Sequence, residues 1–241
     1  RVEVVPTAHY FMGGVVVDTD TRTSLPGLYV AGEDAGGAHG ANRLGGNGVA
    51  NSTVYGGIAG DVMGRDVAGQ KTLREPDEAA LSAEIDRAMA PVGRSGGNIH
   101  DLRRTLQDVM WDDVGVIRTA TGMTRALEQL DEIDSALMDT GVASGSLAFN
   151  LTWHDWLNMR SLVDISKVIT HAGLARENSR GAHYREDFPE VGELESSYFT
   201  KAEMAGDDVE VTRAPVAFTI VRPGESILPD DEPDTLVAAA E

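Results

Sequence analysis

The stretch GGAHGANRLGGNGVA, residues 36–50, constrains this chain more than any other, because six of its fifteen residues are glycine. Glycine at that density marks backbone that turns sharply or admits another molecule at close range. Before it lie a β-branched run, Val15 to Val17, and a short apolar run, Leu28 to Ala31, that ends at Gly32. Both predict strands, the second of them buried. After it, GVANSTVYGGIAGDVMG is small and apolar and predicts a helix packed closely against a sheet. Strand, glycine-rich turn and helix together build a corner for a nucleotide or an anion, since a helix start offers free N–H groups and a positive dipole end.

The side chains around that corner narrow the ligand. Asn42 and Arg43 sit in the middle of the stretch, and AHYFMGG at residues 8–14 puts His9 beside small residues. A guanidinium grips a carboxylate through two parallel hydrogen bonds, so Arg43 with a histidine suits a dicarboxylate. Residue types alone leave a second reading open, a capped turn in which Arg43 pairs with an acid and His9 is structural. Complete dinucleotide, P-loop and nucleophile-elbow motifs are absent. The six histidines (His9, His39, His100, His154, His171, His183) show no metal-ligand spacing, and no metal site is expected.

Further along, the texture changes twice. REPDEAALSAEIDRAMA begins a helical region, with Pro76 and acids at a helix start. Ile99, Leu102, Leu106 and Val109 share one helical face. Met123, Leu127, Leu130 and Leu137 share another, and Trp153, Trp156, Leu162, Ile165, Ile169 and Ala172 a third. These stripes predict amphipathic helices packed as a bundle. From about Glu195, SSYFTKAEM and DVEVTRAPVAFTIVRPG read as two or three strands around a polar turn at 206–208, followed by an acidic, mobile end. The expected organisation is therefore α/β over residues 1–70, a helical bundle domain over 75–190 and a short β-rich segment over 191–241, α+β overall.

A net charge of −19, from 39 acidic and 20 basic residues, disfavours nucleic acid and anionic lipid as partners. No apolar run approaches a membrane span, so direct membrane insertion is not expected. With no cysteine, the chain holds neither disulfides nor cysteine-ligated iron–sulfur clusters, in keeping with a cytoplasmic setting.

Taken in order, HYFMGG, LPGLYVAGE, HGANRLGGN and SRGAHYREDFPE resemble the flavoprotein subunit of succinate dehydrogenase and fumarate reductase. The likeness is strongest to about residue 65 and fades after about residue 195. It implies that residues 1–70 are the C-terminal portion of an FAD-binding domain. It also implies that His9 contacts substrate, that Arg43 binds a substrate carboxylate at the flavin, and that Glu33 contacts the FAD adenosine ribose. Gly46, Gly48 and Val49 would lie against the flavin. Many relatives carry Ser-Leu where this chain has Gly48 and Val49, a departure that removes a hydroxyl and some apolar area. A helix N-terminus beside the flavin N1–C2=O edge would stabilise the charge left by two-electron reduction.

The family's N-terminal half, with its dinucleotide fingerprint and proton-shuttling arginine, has no counterpart here, and neither Arg43 nor Arg180 is that arginine. The chain, which begins at Arg1, thus reads as a piece of something longer, inactive alone. The resemblance implies as partners a C4 dicarboxylate, the N-terminal flavoprotein half and an iron–sulfur subunit near the helical region, which would set the protein peripheral to the inner membrane. L-aspartate oxidase shares related motifs, although Met12 and the spelling NRLGGN lean toward the dicarboxylate dehydrogenases. Adenylylsulfate reductase fits HGANR less well. A non-catalytic assembly module without flavin is the rival from another class: Gly48 and the missing half favour it, while intact His9, Glu33 and Arg43 oppose it.

Overall fold

A computed structural model describes residue 2 and residues 9–70, 72, 75–206 and 208–226. The acidic end expected to be mobile, with Asp230, Asp231, Glu232 and Asp234, lies outside the described residues. In chain order the elements are α1 (Asn47–Gly69), α2 (Glu78–Met89), α3 (Ile99–Val114), α4 (Ala120–Asp139), α5 (Leu151–Leu174), β1 (Tyr198–Ala205) and β2 (Asp208–Pro215). The two strands pair antiparallel from Tyr198 opposite Pro215 to Ala205 opposite Asp208, so the chain is mostly helical and α+β.

Helices α3, α4 and α5 pack on one another around a single apolar cluster, in which Met123, Leu130, Leu137, Met159 and Val163 have no solvent exposure. Polar caps set where these helices begin. Asn98, Thr119 and Asn150 each accept an N–H of the first turn of α3, α4 and α5, and Asp77 does the same for α2. Ion pairs lace the outside: Arg160 to Asp134 at 2.6 Å, Lys167 to Asp131 and Asp134 at 2.8 and 3.0 Å, and Arg103 to Asp155 at 2.9 Å. Trp153 Nε1 donates to the Ala88 carbonyl at 2.7 Å and ties the end of α2 to this bundle.

Two predicted stripes are rotated. On α4 the buried row is Met123, Ala126, Leu130, Ile133 and Leu137, with Leu127 only half-buried. On α5 it is Trp156, Met159, Val163, Ser166, Thr170 and Gly173, while Leu162 and Ile165 are exposed. Thr170 Oγ1 donates to the Ser166 carbonyl at 2.7 Å, which lets small polar residues occupy a face that hydrophobicity alone does not mark.

The region before α2 is built differently. The two predicted strands appear only as isolated bridges, Val15 with Ala35 in parallel and Arg22 with Tyr29 antiparallel. The Val15 bridge needs a close backbone approach: Gly14 sits at φ 146°, and a Cβ there would lie 2.4 Å from the Asp34 carbonyl oxygen. Asp66 of α1 pins the other bridge, taking two hydrogen bonds from Arg22 and one from the Tyr29 hydroxyl. The Arg22 guanidinium, then Tyr29, hold the Asp66 carboxyl down to about 2.

Candidate functional site

The Gly14 crossing carries the HYFMGG segment over the glycine-rich loop, and all six residues singled out from sequence line one open cleft of about 510 Å³. His9, Glu33, Arg43, Gly46, Gly48 and Val49 share it with Tyr10, Ser52 and Thr53. Gly46 is the N-cap of α1, in the left-handed region at φ 82°, and no side chain accepts from the first-turn amides. Among the five helices of the described residues α1 alone begins without a side-chain cap, and it has no acid in its first turn. The positive end of this helix therefore opens into the cleft.

Arg43 stands at the same place. Its guanidinium lies 4.5 Å from the centroid of the Tyr10 ring and donates from Nη1 to the Leu44 carbonyl at 3.2 Å. The Nε is buried and has no hydrogen-bond partner, and Arg43 forms no ion pair with a carboxylate among the described residues. The acid that the capped-turn reading pairs with Arg43 is not found among the described residues. Glu33 lines the cleft but accepts the Phe11 N–H at 2.8 Å, so one of its oxygens fastens the HYFMGG segment. His9 is exposed on the cleft wall. At Gly48 a Cβ would lie 3.0 Å from the Tyr10 ring, so the missing side chain leaves room for that ring.

Three residues of the site escaped the sequence reading. His39 Nε2 is 3.3 Å from the Tyr10 hydroxyl and 3.1 Å from Asn51 Nδ2, and Asn51 also donates to the Gly32 carbonyl at 3.1 Å. This network orients the ring on which Arg43 rests. Asn51, buried in the first turns of an otherwise small apolar helix, was the available signal.

The SRGAHYRED segment is an ion-paired turn. Arg185 is 1% exposed, donates twice to Asp187, and reaches the Gly173, Leu174 and Arg176 carbonyls that end α5. Arg185 in turn holds the Asp187 carboxyl well below the usual range. His183 Nδ1 accepts from Arg118 at 2.8 Å, which leaves Nε2 to donate to the Arg176 carbonyl at 3.3 Å. Burial, and then Arg118, push the His183 imidazole down to about 4, so it is neutral near pH 7.

The cleft fits an anionic, partly apolar ligand such as a flavin. Its uncapped helix start and orphaned Nε are donors without acceptors, and Leu44 and Val49, 74% and 76% exposed, offer apolar surface beside them. The fumarate reductase flavoprotein C-terminal family matches residues 103–228, and the FAD-binding domain matches residues 1–49. A fumarate reductase flavoprotein subunit of Mycobacterium tuberculosis is 33% identical, over 94% of this chain and 40% of its own length. An L-aspartate oxidase of Yersinia pestis is 35% identical, over 78% of this chain and 33% of its own. A quinol-fumarate reductase solved with menaquinol molecules superposes with a TM-score of 0.82 at 27% identity, over 90% of this chain and 38% of that one. The chain thus spans about a third to two-fifths of the curated relatives it matches. The cofactor of these flavoproteins is FAD. No described helix is long and apolar enough to cross a membrane.

Proposed function

The chain belongs to the fumarate reductase flavoprotein family, and from that premise we propose that its residues 9–53 form one wall of a site where FAD meets a C4 dicarboxylate. Arg43 carries the proposal, as a stacked guanidinium with a buried Nε and, among the described residues, no carboxylate partner, at the mouth of an uncapped helix. FAD, when bound, supplies two-electron chemistry for the interconversion of succinate and fumarate. Gly46, Gly48 and Val49, which line the cleft, would hold the flavin, and the α1 N-terminus would favour negative charge there. Glu33, one oxygen of which accepts the Phe11 N–H, would contact the adenosine ribose with the other. Arg43 grips one substrate carboxylate through its fork, Tyr10 keeps the guanidinium plane fixed, and His9 donates to the second carboxylate. Together they fix the substrate and draw electron density toward its carboxylates. Proton delivery is assigned to no residue of this chain.

In this reading residues 1–70 are the C-terminal part of the FAD-binding domain, 75–190 a helical domain and 191–241 a β-rich tail. An N-terminal flavoprotein half completes the site, and an iron–sulfur subunit meets the helical region, holding the assembly at the inner membrane from the cytoplasmic side. A second reading, oxidation of L-aspartate, has the support of the 35% identity to an L-aspartate oxidase. Both substrates present the carboxylate that Arg43 would hold. The FAD-loaded flavoprotein, supplied with a reduced viologen, should turn over with fumarate, and Arg43→Gln should cut that rate by at least about a hundredfold. Flavin reduction by L-aspartate with no fumarate turnover would select the second reading, and turnover with neither would end both.

A further inference from the structure

The best-built polar cluster outside the cleft is the turn at residues 178–187, which the proposed chemistry does not use. It touches the glycine-rich loop two residues before Arg43. The Ala182 N–H donates to the Ala41 carbonyl at 3.0 Å. Gly181 sits at φ 55°, and a Cβ there would lie 2.2 Å from that carbonyl oxygen and 2.5 Å from its carbon. Only glycine allows both the left-handed backbone and this approach.

The turn is densely hydrogen-bonded where the loop is exposed. Arg180 donates to the Val191 and Glu193 carbonyls and to Ser197 Oγ, at 2.7 to 2.8 Å. Ser179 Oγ accepts the Arg185 N–H and donates to the Phe188 carbonyl, both at 2.8 Å. Arg185 locks the turn to the end of α5, and Arg118 holds His183 from the end of α3. On the loop side Gly40, Ala41, Asn42 and Leu44 are exposed, and α1 starts without a cap.

We propose that this turn is a positioning clasp, through which Gly181 and Ala182 fix the backbone at Ala41 and so the reach of Arg43 into the cleft. The inference rests on Arg43 as the carboxylate grip. The helical region then sets substrate affinity without touching substrate.

The test uses the FAD-loaded flavoprotein and malonate, an unreactive dicarboxylate. Gly181→Ala should weaken malonate binding at least about tenfold, as expected when a gripping group is displaced by a fraction of an ångström. Amide exchange over residues 38–46 should accelerate while that of α3 to α5 stays unchanged. In an Arg43→Gln background Gly181→Ala should weaken malonate no further, because the two changes act through one group. Unchanged affinity and exchange, or an equal loss in both backgrounds, would overturn the clasp. If Arg43→Gln alone leaves malonate binding intact, the dicarboxylate reading fails and exchange over 38–46 still decides the clasp. Should Gly181→Ala not fold, Arg118→Gln loosens His183 from outside. It should speed exchange over 38–46 about threefold, since local opening tracks lost anchoring, and unchanged exchange would count against the clasp.

Discussion

The helical bundle and the glycine-rich region invest their residues in opposite ways. Between α3 and α5 nearly every demanding group is answered inside the chain: apolar rows meet in one cluster, helix starts are capped, and Arg185 is buried among a carboxylate and three carbonyls. Along α1, by contrast, only Asn51, Ala59 and Val62 of 23 residues are buried, the start is uncapped, and Val49, Val54 and Val67 face solvent. One region buries its groups within the chain, and the other leaves a helix start and apolar side chains open. Helix-start amides without a side-chain cap and bare apolar side chains are costly unless a ligand or partner covers them, as is a buried guanidinium nitrogen without an acceptor.

Unequal sensitivity to truncation is the strongest way to break that comparison. Trp156→Ala, at a site 2% exposed, should destabilise the chain by about 4 kcal/mol, whereas Val67→Ala on α1 should stay within about 0.5 kcal/mol. Denaturant midpoints at constant slope measure both, and equal losses would erase the distinction. Arg185→Met should cost about 3 kcal/mol, because it leaves Asp187 and the α5 carbonyls without their donor. A neutral result in the same titration would show that the turn contributes nothing to the bundle.

His183 sharpens the contrast through pH. Its folded value of about 4 lies below the ordinary 6.5, so the unfolded chain binds the proton more readily. The stability it contributes is complete above about pH 6.5 and is lost as pH falls toward 4, by about 1–3 kcal/mol. Subtracting the pH profile of His183→Gln from that of the wild type isolates this term from the carboxylates, and a flat difference would contradict it. The smallest effect is at the N-cap of α2, where Asp77→Ala should cost about 1 kcal/mol as read from the unfolding midpoint.

The same division governs what could be read from the sequence. The glycine-rich corner stands out in the sequence because a loop, a helix start and an arginine lie within a few residues, and the structure places all six named positions along one cleft. The bundle's helices were legible from periodicity, but two of its buried faces were not. On α5 packing selects Ser166, Thr170 and Gly173 over Leu162 and Ile165, since close helix approach favours small side chains that satisfy their own hydroxyls. Predicted strands at 15–17 and 28–31 became single bridges, because a strand needs neighbours that sequence texture alone does not promise. Contacts that join distant segments, such as Ala182 to Ala41 and Arg118 to His183, leave no mark in local pattern.

In the proposed site Arg43, which pairs with no carboxylate among the described residues, holds one from outside. Titrating malonate into the FAD-loaded flavoprotein, and following the visible absorbance of the flavin, tests this most directly. Saturable binding to the wild type, weakened at least about a hundredfold by Arg43→Gln with the melting temperature unchanged, is the predicted result. Equal malonate affinity in the two proteins would contradict the account.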